Sequence, residues 1–144
     1  MEQDIDQVIL TAAAIAARNR ELAADLAADY AGRKLTVVVL SNGALFFAAD
    51  LLRLIPLPLQ LDSIGVASYI GEKSEAVELR SDLKTDVQGR HVLVIDDIFD
   101  TGRTLQAVSQ HLRKSKPASI RTCVLLQKEV ARETSLRPDY RGFA

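Results

Sequence analysis

Three aspartates, two threonines, a glycine and an arginine crowd into one short stretch: Asp96, Asp97, Asp100, Thr101, Gly102, Arg103 and Thr104. Directly before them, Val92-Leu93-Val94-Ile95 runs without alternation, which suits a parallel strand buried on both faces. A helical pattern follows from Leu105. The acids and hydroxyls are therefore expected where a strand's carboxyl end turns into a helix, the place where ligands bind in open α/β sheets. Gly102 lets the backbone come close to an anion. Thr101 and Thr104 add hydroxyl donors, and the first N–H groups of the helix favour negative charge. Carboxylates beside such a cradle repel a bare phosphate. They gain a purpose if the ligand also brings sugar hydroxyls, a divalent metal or a proton to be taken. A solvated turn that merely caps a helix needs one such residue, not three acids and a glycine turn.

The stretch V-L-V-I-D-D-I-F-D-T-G-R-T-L resembles the phosphoribosyl-diphosphate (PRPP) binding motif of the type I phosphoribosyltransferases. The resemblance extends over nearly the whole chain and is to the purine enzymes of the hypoxanthine-guanine type. It implies an α/β fold: a mostly parallel sheet flanked by helices, with a flexible antiparallel loop hairpin and a hood over the base. It also implies roles. Asp96 and Asp97 would hold the ribose hydroxyls, directly or through Mg²⁺. Asp100 would be the catalytic group, accepting the purine's N7 proton or steadying its charge. Thr101, Gly102, Arg103 and Thr104 would cradle the 5′-phosphate.

Other elements must place the rest of such a site. Leu35 to Leu40 reads as a second buried strand, ending in Ser41-Asn42-Gly43 before a helix over Ala44–Leu54. A tight turn accounts for that pattern unaided. In the resembled family the matching turn contacts pyrophosphate through its backbone, which implies Asn42 and Gly43; the purine enzymes usually carry lysine where Asn42 stands. Pro56 and Pro58 stop the helix. A third strand is expected over Leu59–Ala67 and a returning one over Val77–Arg80. The polar connection between them is either a hairpin tip or a functional lid. Ser68 and Tyr69, which open it, resemble the family's closing loop, whereas residues 71–75 depart from its Gly/Ser/Thr-rich pattern. A strand over Ser119–Leu126 ends in Gln127-Lys128. An exposed lysine after a strand is ordinary; the resemblance implies that Lys128 donates to the 6-oxygen of the base.

At the amino end, Ile5, Val8, Ile9, Ala12, Ile15, Ala16, Leu22, Leu26 and Tyr30 recur at helical steps, predicting one helix over residues 4–30. Asp4 with Gln7 resembles a capping box, and Gly32 suits its end. The final residues, Arg137 to Ala144, resemble a strand leading into the family's carboxyl-terminal segment. That segment supplies a stacking aromatic, contacts to the base edge and a metal-binding aspartate. The expectation is that this chain lacks it and that the hood is incomplete.

Length and composition bound the answer. A chain of 144 residues, 48% hydrophobic, can bury one core, so a single domain over residues 1–144 is expected, which the resemblance implies is phosphoribosyltransferase-like. A net charge of −1 with mixed signs argues against nucleic acid as the main partner. Cys123 is the sole cysteine and sits in an apolar run, so a buried thiol is expected and no disulfide within one chain. With no signal peptide and no apolar run that spans a bilayer, a cytoplasmic protein without membrane contact is expected. His91 and His111 receive no role. Neither a GxGxxG nor a GxxxxGK[ST] pattern occurs.

The function implied is transfer of the phosphoribosyl group from PRPP to a 6-oxopurine, giving IMP or GMP and pyrophosphate, with Mg²⁺, in purine salvage. The family commonly assembles through helices beside the sheet, which implies a homodimer or homotetramer. Three rivals stand beside this reading. A D-x-D phosphatase also places acids after a buried strand, but two residues apart, unlike Asp96-Asp97 and Asp97-x-x-Asp100. A regulatory RNA-binding relative needs a basic face. A truncated form or pseudoenzyme would keep only the PRPP cradle.

Overall fold

The computed structural model describes residues 10–68, 77–128 and 135–144. Its strands form one sheet in the order β3-β2-β1-β4-β5-β6. They are β1 (Leu35–Ser41), β2 (Gln60–Ser68), β3 (Val77–Leu79), β4 (His91–Phe99), β5 (Ser119–Gln127) and β6 (Tyr140–Phe143). All neighbours run parallel except β2 and β3, which form the antiparallel hairpin. The helices are α1 (Ala12–Tyr30), α2 (Leu45–Leu52) and α3 (Arg103–Arg113). This is the α/β architecture that the alternation of apolar runs and helical patterns predicts.

Period-two alternation along β1 divides the core. Leu35, Val37 and Val39 join Leu93, Ile95 and Cys123 under α1 and α2. Val38 and Leu40 join Val92, Val94, Phe99 and Val124 under Leu105, Val108 and Leu112 of α3. The sheet is thus covered on both faces, which is why its central strands read as unbroken apolar runs. The helix that follows β1 lies on one face and the helix that follows β4 on the other. Since β1 and β4 are neighbours, a crevice opens between their carboxyl ends, the switch point at which such sheets bind ligands.

The structure refines several expectations. The first helix is described from Ala12; Asp4 and Gln7 lie outside the described residues. Its cap is Thr11, whose Oγ1 accepts the Ala14 N–H at 3.0 Å. Leu22, Leu26 and Tyr30 point inward as the periodicity predicts, but so does Asn19, while Ala12 and Ala16 are exposed. Gly32 follows with φ +77°, the left-handed conformation that ends helices. Among the described residues no helix is long and apolar enough to cross a membrane. Cys123 is fully buried, and burial pushes its thiol up to about 12, so it is a packing residue.

The largest difference concerns β4. The apolar run suggests a strand ending near Ile95, yet β4 continues through the acids to Phe99. Ile98 and Phe99 pair with Leu126 and Gln127 of β5, and Phe99 buries its ring under α3. Pairing with β5 and one deeply buried aromatic keep the chain extended past the polar pair. Asp96 and Asp97 therefore stand on strand backbone, and only Asp100 to Gly102 form the turn.

Candidate active site

Parallel pairing in register brings three strand ends together. β1 lies against β4 over Leu35–Val39, so the turn after β1 reaches the acids of β4. The contact is close. A Cβ added to Gly43 would stand 2.9 Å from Asp97 Oδ2, so any side chain there would displace that carboxylate. A cis peptide joins Ser41 to Asn42, and Asn42 and Gly43 are both exposed at the mouth of the crevice. On the other side, Phe99 pairs with Gln127, and the Lys128 N–H donates to the Phe99 carbonyl at 2.8 Å. Lys128 thus leaves β5 beside Asp100, with its side chain exposed.

The acids are fixed by their own backbone. The Asp97 N–H donates to Asp96 Oδ1 at 2.9 Å, and the Ile98 N–H to Asp97 Oδ1 at 2.8 Å. Asp100 accepts the Thr101 N–H. Burial, joined by the neighbouring Asp97 and Asp100 carboxylates, raises the Asp96 carboxyl well above the ordinary range, to about 7. Burial, more than its acidic neighbours, thus holds the Asp96 carboxyl back from ionising.

The turn that follows is shaped for an anion. Gly102 caps α3 at φ +90°, a conformation that a residue with a Cβ adopts only at a cost of about 1–2 kcal/mol. It offers no side chain to the helix, and no acid stands in the first turn. The Arg103 N–H is met by Thr101 Oγ1 at 3.3 Å. Gly102 itself makes no capping bond, so the positive end of α3 faces the crevice with Thr101, Arg103 and Thr104 half-buried around it.

The residues fit a divalent cation of the hard, oxygen-preferring kind. Among the described residues no group of three or more His, Cys, Asp or Glu side chains forms a cage. Two adjacent carboxylates, Asp96 and Asp97, suit a cation that brings further oxygen ligands with its substrate. Such a cation would offset both the burial and the acidic neighbours that raise Asp96.

Of the residues singled out in the sequence, the structure brings together Asn42, Gly43, Asp96, Asp97, Asp100, Thr101, Gly102, Arg103, Thr104 and Lys128 at the carboxyl edge of the sheet. Ser68 ends β2, two strands from β4, and pairs with Val77. Tyr69 lies outside the described residues. Sequence reasoning missed the Gly43–Asp97 contact, because a contact across two strands depends on register. It also missed Asp62, buried in β2. Asp62 accepts the Lys84 and Thr85 N–H groups and the Thr85 hydroxyl, at 2.8, 2.9 and 2.6 Å. An acid at an apolar strand's inward position was the available signal. His91 Nδ1 meets Ser119 Oγ at 2.7 Å and His111 meets Asp82, both away from the crevice.

Comparison with known proteins agrees with this geometry. Residues 7–144 match the model of the phosphoribosyl transferase domain family. The chain is 39% identical, over 99% of its length and 79% of the relative's, to a hypoxanthine-guanine-xanthine phosphoribosyltransferase of Tritrichomonas foetus. It is 37% identical, over 97% of its length and 73% of the relative's, to a hypoxanthine-guanine phosphoribosyltransferase of Mycobacterium bovis. A crystal structure of a hypoxanthine phosphoribosyltransferase from Staphylococcus aureus superposes with a TM-score of 0.90 at 32% identity, covering 95% of this chain and 76% of that one. Sheet order, crevice and sequence converge: the chain belongs to the phosphoribosyltransferases, in their hypoxanthine-guanine branch.

Proposed function

We propose that this chain transfers the phosphoribosyl group of PRPP to a 6-oxopurine, hypoxanthine or guanine, giving IMP or GMP and pyrophosphate in cytoplasmic purine salvage. The observation that carries the reading is the meeting of the β1 turn with the β4 acids, Gly43 against Asp97. One ligand with a pyrophosphate, a ribose and a 5′-phosphate spans both turns. The relatives' names support the class of base.

In this reading Thr101, Gly102, Arg103, Thr104 and the amino end of α3 hold the 5′-phosphate. Asp96 and Asp97 accept from the ribose hydroxyls. Backbone at Asn42 and Gly43 contacts the pyrophosphate, whose bond to the anomeric carbon breaks as the purine nitrogen attacks. Asp96 and Asp97 would hold Mg²⁺, which would supply charge neutralisation for the leaving group. Asp100 accepts the purine's N7 proton. Lys128, one residue beyond the partner of Phe99, donates to the 6-oxygen and selects against a 6-amino base. Ser68 and Tyr69 close over the site and keep water from the electron-poor ribose carbon. Rate enhancement then rests on positioning and water exclusion. A homodimer or homotetramer is part of the proposal: Leu45 and Phe46 of α2 and Leu61 of β2 are exposed, Phe46 by 86%.

The test is Mg²⁺-dependent pyrophosphate release from PRPP with hypoxanthine, guanine, xanthine, adenine and uracil in parallel. Release with 6-oxopurines alone is the expected result. Release with adenine or uracil at equal rates, or with no base at all, overturns the reading.

A further inference from the structure

The edge strand β6 has four residues, and none of them is buried. A strand this short has little to hold it except its pairing with β5 and polar ties. Its amino end is tied by side chains: the Thr122 N–H donates to Asp139 Oδ2 at 2.9 Å, and the Tyr140 hydroxyl donates to Asp29 Oδ2 at 2.6 Å. Its carboxyl end is held from α1. Arg18 donates from Nε to the Gly142 carbonyl at 2.9 Å and from Nη2 to the Arg141 carbonyl at 2.7 Å. Glu21 takes a third donor of the same guanidinium at 2.8 Å and fixes its plane. Two adjacent carbonyls held by one planar fork define both the position and the direction of the strand.

What β6 touches at that end is the exit of β5. A Cβ on Gly142 would stand 2.5 Å from the Leu125 carbonyl, so the two backbones leave no room for a side chain between them there. Arg141 Nη1 donates to Gln127 Oε1 at 3.0 Å, and Leu126 pairs with Phe143. The next residue is Lys128, whose N–H is held by Phe99 on the opposite side. From these contacts we infer that Arg18 is a positioning residue for the base end of the site: through β6 it braces Gln127 and thereby aims Lys128. The inference rests on the proposed role of Lys128 in base selection. It assigns the first helix, which carries none of the residues placed in the site, a part in base binding.

The experiment compares Arg18→Met, Arg18→Lys and Tyr140→Phe, the last loosening the amino end of the same strand. Two readouts are taken: hydrogen exchange at the Lys128 amide, and KM for hypoxanthine and for PRPP. Arg18→Met is expected to speed Lys128 exchange about tenfold or more. It is expected to raise KM for hypoxanthine about three- to tenfold while KM for PRPP stays within about twofold, as loss of a ground-state contact predicts. Arg18→Lys recovers part of both effects, because one donor still reaches a carbonyl. Tyr140→Phe lowers thermal stability without moving either readout. Unchanged Lys128 exchange in Arg18→Met overturns the brace, as does an equal response in Tyr140→Phe. Faster exchange in a protein that uses no 6-oxopurine leaves the brace standing and overturns the function proposed for it.

Discussion

At the residue scale the site divides between groups that meet charge and groups that make room. Asp100 belongs to the first kind. It stands at the turn, exposed, with its carboxylate steadied by the Thr101 N–H. Replacing it by Asn keeps the shape and removes the proton acceptor. Asp100→Asn is expected to lower kcat about 100-fold or more while KM for PRPP stays within about twofold, read by steady-state kinetics. An equal loss of PRPP affinity would remove the proton-accepting role. Gly102 belongs to the second kind. At φ +90° it turns β4 into α3 without a side chain in the cradle. Gly102→Ala is expected to cost about 1–2 kcal/mol of stability and to raise KM for PRPP more than KM for the base, seen in thermal melts and kinetics. Such residues are legible in the sequence because they lie within one contiguous run. Gly43 was legible as a turn and, through the family resemblance, as a pyrophosphate contact; that it makes room for Asp97 follows from the register of β1 on β4.

At the element scale, β4 is set by its partners more than by its own composition. Val92 to Ile95 announce it, and a reading by hydropathy ends it at the acids. Pairing with β5 and the buried Phe99 ring carry it onward. Phe99→Ala is therefore expected to cost about 3–5 kcal/mol, and to impair the site beyond that loss because the acids lose their straight backbone; chemical denaturation beside KM for PRPP checks both. The return from the β2–β3 hairpin depends on Asp62. Burial pushes its carboxyl up, but the Thr85 hydroxyl and the N–H groups of Ser63, Lys84 and Thr85 outweigh burial and hold it below the ordinary carboxylate range. A folded pKa below the unfolded one gives stability that is present above about pH 4 and is lost as pH falls. Asp62→Asn is expected to cost about 2 kcal/mol at pH 7 and to lose that deficit below the folded pKa, followed by thermal melts across pH. Strand identities and the three helices were legible from period and punctuation. The inward Asn19 and the Asp62 network were not, since polar residues at buried positions answer to partners distant in sequence.

At the scale of the whole molecule, the packed faces and the carboxyl edge of the sheet work in opposite directions. Two apolar layers stabilise the fold, while the edge that would bind substrate concentrates acids that destabilise it. Asp96 makes the opposition measurable. Burial, with Asp97 and Asp100 close by, raises its folded pKa to about 7, above the unfolded carboxylate value of about 4. The folded state then binds more protons than the unfolded state between those values, so stability falls as pH rises through that window and levels off above it. Asp62 acts in the adjoining acid window with the opposite sign, so the two contributions separate along the pH axis. Asp96→Asn removes the charge but keeps the size and one acceptor oxygen for the Asp97 N–H. It is expected to be more stable than the parent by about 2–4 kcal/mol at pH 7.5, to match it near pH 4, and to lose PRPP turnover. Melting both proteins at the two pH values decides the matter. A stability difference that does not change with pH would show that Asp96 carries no buried charge. A gain confined to neutral pH would show that this chain holds a buried carboxylate at its ligand-binding edge whose cost a proton removes in acid and a bound cation would offset at neutral pH.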